Sequence, residues 1–247
     1  MGLVKLKISK LNKIIMAEYP NVSFEISKEK DEKICIQRPE GLSLKIHGKA
    51  DIIKYVDSVY KLRLTDIQAS RTLLQTEWDK VNTDVMKRLQ EIMDIEWPNK
   101  NITGFMTLNK ICPRDLKDWF FFVEAFANVE VQKGICLHEI THFLFFEKWK
   151  QVFNNFNENE FNRPGLAWNL SEILVEPINE DSILKRLVPS TAKAYEKYYQ
   201  VKIKEGNESI MEHFRKIYAN YNSNFAELLK VSYDEIKRLK AINVPGI

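Results

Sequence analysis

The chain has 247 residues, 45% hydrophobic and 29% charged, which excludes wholesale disorder and leaves room for one sizeable core or two modest lobes. Lys and Arg number 37 against 34 Asp and Glu, a net charge of +3 too balanced to announce a nucleic-acid surface. No apolar run approaches the roughly 20 residues of a membrane helix, and lysines interrupt every apolar stretch near the N-terminus, so no signal-peptide core is expected. Cys35, Cys112 and Cys136 form an odd, sparse set that fits a reducing compartment rather than a disulfide framework. The expectation is a cytoplasmic protein with no membrane and no nucleic-acid partner.

In chain order, Leu6, Ile8, Leu11, Ile14 and Ile15 predict a short helix over 5–18, ended by Pro20. Val22, Phe24 and Ile26 then alternate with polar residues. The charged run 27–33 reads as a solvated hairpin turn, and 34–36 and 42–46 as two further strands, giving three antiparallel strands with His47 on their polar face. Residues 50–97 are helical in character, and Thr65-Asp66-Ile67-Gln68 places a new helix start near Asp66. That helix should run amphipathically through Leu73, Leu74, Trp78, Val81, Val85, Met86, Leu89 and Met93. Ile102–Leu108 and residues 119–127 read as strands. Beyond 182 the chain reads as helices over 195–203, 209–221 and 225–239, with another capped start at Ser232.

Chemistry concentrates between these elements. Residues 134–149 contain His138-Glu139-Ile140-Thr141-His142 on a helix that is apolar nearly all round. Positions four apart on a helix stack on one face, so two imidazoles can converge on one Zn²⁺ while Glu139, about 100° round the helix, flanks the ion. A buried helix carrying two histidines and a carboxylate needs partners for them. The bland alternative is a pair of core histidines hydrogen-bonded to one another.

A catalytic zinc takes three protein ligands. Phe145 and Lys148 stand where a third-histidine extension of the motif would need glycine and histidine. The better candidate lies in residues 166–177, where Glu172 and Glu176 share a face of an otherwise apolar helix that Pro177 should end. Glu172 is then the third ligand and Glu176 an acceptor that orients a ligand histidine. The reverse assignment, or two surface glutamates, stays open. Cysteine ligation is a weaker option: Cys112 lacks a suitable setting and Cys136 points about 200° away from His138 on the helix.

His138-Glu139-x-x-His142 followed by Glu172-x-x-x-Glu176 resembles the gluzincin branch of the zincin metallopeptidases, whose downstream helix ends in Asp where this chain has Glu176. The resemblance covers about residues 100–180. It implies an α+β zincin-like fold, with a small mixed sheet, backing helices and zinc between two lobes at 1–155 and 156–247. By the same resemblance His138, His142 and Glu172 would bind zinc, Glu139 would be the general base, and residues 119–127 would be a sheet-edge strand that pairs with substrate. A Tyr or His would steady the oxyanion, and Tyr195, Tyr198, Tyr199, His213, Tyr218 and Tyr221 are candidates. The expected function is zinc-dependent hydrolysis of peptide or amide bonds in a peptide or protein substrate. The rival is a zincin-like module that binds metal or protein without hydrolysis.

Overall fold

The computed structural model describes residues 19–42, 46, 48–190, 192–203, 207–245 and 247. The helix expected over 5–18, most of the strand expected over 42–46, and His47 lie outside them.

The chain enters on strand β1 (Val22–Ile26) and turns at once into helix α1 (Lys28–Gln37). The run 27–33 is therefore not a hairpin turn. Ser27 accepts a hydrogen bond from the Lys30 amide, capping a segment with Glu29 and Asp31 in its first turn. Asp31, Ile34 and Cys35 share the buried face, so charge density misled where helical spacing decides. Helix α2 (Lys49–Asp79) bends at Arg63, whose backbone is non-helical, and α3 (Asn82–Met93) follows after a break. The expected start at Asp66 is this bend, where the Arg63 guanidinium bonds the Asp66 carboxylate at 2.9 Å.

Strands β2 (Ile102–Thr107), β3 (Arg114–Asp115) and β4 (Phe120–Glu124) complete a four-stranded sheet in the order β1-β2-β4-β3. Pairs β1–β2 and β2–β4 are parallel, and β3–β4 is antiparallel. The first three expected strands are thus one strand, one helix and a stretch mostly outside the described residues. Strand β4 is not an edge: β3 covers its start, and the Phe122 amide donates to the Pro113 carbonyl at 3.0 Å.

Helix α4 (Val129–Val152) leaves the sheet behind an Asn128 cap and is buried on nearly every side. Helix α5 (Leu166–Asn179) packs against α4 and has no exposed residue. It runs through Pro177, which falls in the last turn, and ends at Asn179. The remaining elements are α6 (Ser182–Leu187), α7 (Glu196–Gln200), the short pair β5 (Lys202–Ile203) and β6 (Glu208–Ser209), α8 (Ile210–Tyr221) and α9 (Phe225–Ala241). The expected helix over 195–203 is only the single turn α7 before β5. Ser232 starts no helix, because Asn224 caps α9 and Ser232 is buried within it. Helices α8 and α9 cover the other faces of α5. The fold is α+β, and one apolar cluster runs from Val22 through α4 and α5 to Val244. Among the described residues no helix is long and apolar enough to cross a membrane.

Asp31 ties α1 to the sheet. Its fully buried carboxylate accepts from Tyr60 Oη at 3.0 Å, Thr107 Oγ1 at 2.6 Å, the Leu108 amide at 3.0 Å and Cys35 Sγ at 3.4 Å. Burial raises its pKa above the ordinary 3.8, against the pull of those hydrogen bonds. The folded state therefore binds this proton more tightly than the unfolded chain. The contribution to stability is complete below the ordinary value and is lost as pH rises through the raised one. In urea unfolding followed from acid to neutral pH, wild type should lose stability relative to Asp31→Asn. Asp31→Ala strands several buried donors and should cost about 2–4 kcal/mol in the same experiment.

Candidate metal centre

Helix α4 supplies His138, Glu139 and His142, and α5 supplies Glu172 opposite them. The crossing is held by Thr141 Oγ1, which donates to Asn179 Oδ1 at 2.8 Å. His138 Nε2 and His142 Nε2 are 3.1 Å apart. Glu172 Oε2 lies 3.5 Å from the first and Glu172 Oε1 3.5 Å from the second. A tetrahedral ion with bonds of about 2.0–2.1 Å sets its donors about 3.3–3.4 Å apart. The two imidazole nitrogens stand near that spacing, the carboxylate turns one oxygen toward each of them, and one ligand atom from each group lies within 4.8 Å of the others. Two imidazole nitrogens and a carboxylate oxygen are also a donor set that zinc accepts. His138 Nδ1 and His142 Nδ1 are buried and have no partner among the described residues. If each Nδ1 carries its ring's proton, two lone pairs meet across 3.1 Å, and a cation between them resolves the conflict. The residues present fit a metal ion.

Glu139 stands beside this face, its Oε1 3.9 Å from His138 Nε2. Its Oε2 receives Arg114 Nη1 at 3.4 Å, and the same nitrogen reaches Glu172 Oε1 at 3.2 Å. Arg114, on β3, was not singled out in the sequence. It precedes the motif by 24 residues, and only the β3–β4 pairing turns it toward α4. Burial acts first on each of these groups. In Glu139 it prevails over His138 and Arg114 and raises the pKa. In Glu172 it is outweighed by His142, His138 and Arg114, which hold the carboxyl far below its usual range. Burial and the Arg114 charge keep His142 neutral, whereas Glu172 and Glu139 overcome burial at His138 and raise it.

The centre opens into a cavity of about 980 Å³ that His138, Glu139 and Glu172 line and that Arg114, Trp168 and Tyr195 share. His142 is fully buried behind them. Ser190 lies so close to α4 that a Cβ on Gly134 would fall 2.1 Å from its carbonyl oxygen, which explains glycine one turn before His138.

Glu176 does not orient a histidine. Its Oε2 accepts from the Ala194 amide at 2.6 Å and from Tyr199 Oη, and its Oε1 accepts from Arg215 at 2.5 Å. It lies one turn beyond Glu172 and faces α7 and α8, so it anchors the segment that carries Tyr195. Of the six oxyanion candidates, only Tyr195 lines the cavity. Tyr198 donates to Asn169 at 2.7 Å, Tyr199 to Glu176, and His213 is held between Glu208 at 2.7 Å and Glu235 at 2.6 Å. Cys112 is in the cavity wall and Cys136 is fully buried, and neither joins the cluster of His138, His142 and Glu172.

Comparison with protein-family models, with curated proteins and with solved structures finds no match. The geometry above therefore carries the functional reading alone. Mass-spectrometric metal analysis after zinc loading should give one ion per chain. Glu172→Ala should lose most of it, and Glu176→Ala should retain it while lowering thermal stability. Equal retention in both variants would contradict the ligand assignment.

Proposed function

We propose that the protein is a zinc-dependent peptidase or amide hydrolase with a zincin-like centre, in which His138, His142 and Glu172 hold the ion. The observation that carries this reading is the convergence of those three groups, with a further glutamate beside them, at the wall of a cavity. A purely structural site closes its coordination shell with protein and has no use for that glutamate. When bound, zinc polarises a carbonyl oxygen and lowers the pKa of water.

The chain's own groups divide the remaining work. Burial makes Glu139 more basic than an ordinary carboxylate, which suits it to take a proton from the attacking water and pass it to the leaving nitrogen. Glu172 stays ionised and His142 neutral, the states that ligation requires. Tyr195 offers its hydroxyl from the cavity wall to a carbonyl oxygen gaining charge.

One observation favours the rival reading of a metal-binding module without hydrolysis: Arg114 contacts Glu139 and works against its basicity. Peptide-library cleavage by the zinc-loaded protein decides between them. Glu139→Gln should keep its zinc and lose about 10²–10⁴-fold in rate. Tyr195→Phe should lower kcat by about 10–10³-fold with little change in KM. A zinc-loaded wild type that cleaves no peptide in the library would support the module instead.

A further inference from the structure

The cavity beside the metal centre is cationic. Its wall carries eight Lys or Arg side chains against five carboxylates, and Arg114, Glu139 and Glu172 belong to the centre itself. Seven cations against three carboxylates therefore face the remaining space, where walls of low dielectric focus their field.

Arg163 of this wall and Lys197, which lies outside it, approach one aromatic ring. Trp168 lies four residues before Glu172 on α5, on the same face, and lines the cavity. The Arg163 guanidinium is 5.8 Å from the centre of its ring and Lys197 Nζ is 5.9 Å from it. Arg163 is exposed and makes no ion pair among the described residues. Lys197 is steered by Asn169 Oδ1, which takes its ammonium at 3.2 Å and the Tyr198 hydroxyl at 2.7 Å. Burial, and after it the Arg163 charge, hold Lys197 below its ordinary pKa, so the two cations feel one another. Two like charges gathered on one aromatic ring at the mouth of a site suit an anion that joins them.

We infer that Arg163 and Lys197, with Trp168 beneath them, form a subsite for a carboxylate of the substrate peptide, and that the cavity selects acidic peptides. One helical turn separates Trp168 from Glu172, about 6 Å, which an extended peptide covers in about two residues. The selected carboxylate thus sits about two positions from the bond held at the metal centre. It belongs to an Asp or Glu side chain, because a free C-terminus is common to all peptides and would select none of them. The inference rests on the hydrolase reading for its scissile bond, but the binding it describes does not need turnover.

The test uses full-length Glu139→Gln protein supplied with zinc and fluorescein-labelled peptide pools of equal length. One pool is rich in Asp and Glu, one in Asn and Gln and one in Lys, each with a free and an amidated C-terminus. Fluorescence anisotropy should show the acidic pool binding about tenfold tighter than the Asn/Gln pool, a gap that shrinks as salt rises. Arg163→Gln should narrow the gap, and Arg163→Gln with Lys197→Gln should close it, leaving affinity for the Asn/Gln pool unchanged. Because Arg163 is exposed, its single variant remains informative if the double variant fails to fold. The gap should survive amidation, which removes the C-terminal carboxylate from every pool, and a gap lost on amidation would overturn the side-chain assignment.

Equal affinity for acidic and neutral pools, or a gap unmoved by Arg163→Gln, would overturn the inference. So would displacement of the acidic pool by a single-stranded oligonucleotide of the same charge as readily as by unlabelled acidic peptide. Wild-type protein that binds the acidic pool and leaves it intact would remove the hydrolase reading while keeping this one, and cleavage without acidic preference would do the reverse.

Discussion

Glu172 and Glu176 ride on a helix with no exposed side, and the cost of burying two carboxylates there governs much of the surrounding architecture. Each must meet positive charge or donors. Glu172 meets Arg114 and the two imidazoles of α4, which brings β3, α4 and α5 to one point. Glu176 meets Arg215, Tyr199 and the Ala194 amide, which brings α8 and the 192–199 segment to the next turn. Two glutamates four residues apart thus fasten the opposite sides of the cavity to the same helix.

Arg114 is the charge whose role would change with the proposed metal. Its guanidinium contacts one oxygen each of Glu139 and Glu172, the general base and a ligand of the proposed reaction. A bound divalent ion would take over the neutralisation of Glu172 and leave Arg114 to offset Glu139 and face the cavity. The pair of buried imidazoles follows the same logic, since α4 sets their Nε2 atoms 3.1 Å apart, where a cation between them would serve both.

The convergence of His138 and His142 was legible in the sequence because its signal is local: two histidines four apart on an apolar helix point the same way whatever packs around them. Glu172 was legible for a similar reason, a carboxylate on a stretch too apolar to be a surface helix. Arg114 and the true partners of Glu176 were not, because strand pairing and chain return across α4 set them, and neither leaves a periodic mark. The N-terminal strands failed differently. The run from Ser27 to Lys33 looks solvated by charge, yet Ser27 caps it and Asp31, Ile34 and Cys35 fall on one helical face. A buried aspartate disguised that face as polar. Pro177 misled in the opposite sense: it removes an N–H that would bond the carbonyl four residues before it, yet the fully buried helix continues past it to Asn179.

The proposed hydrolysis depends on a single ion held by two imidazoles and one carboxylate. X-ray absorption at the zinc edge of loaded protein tests that most directly. It should show two imidazole rings and oxygen donors at about 2.0–2.1 Å and no sulfur. A sulfur shell at about 2.3 Å, or oxygen alone without the outer-ring scattering of histidine, would place the ion elsewhere and contradict it.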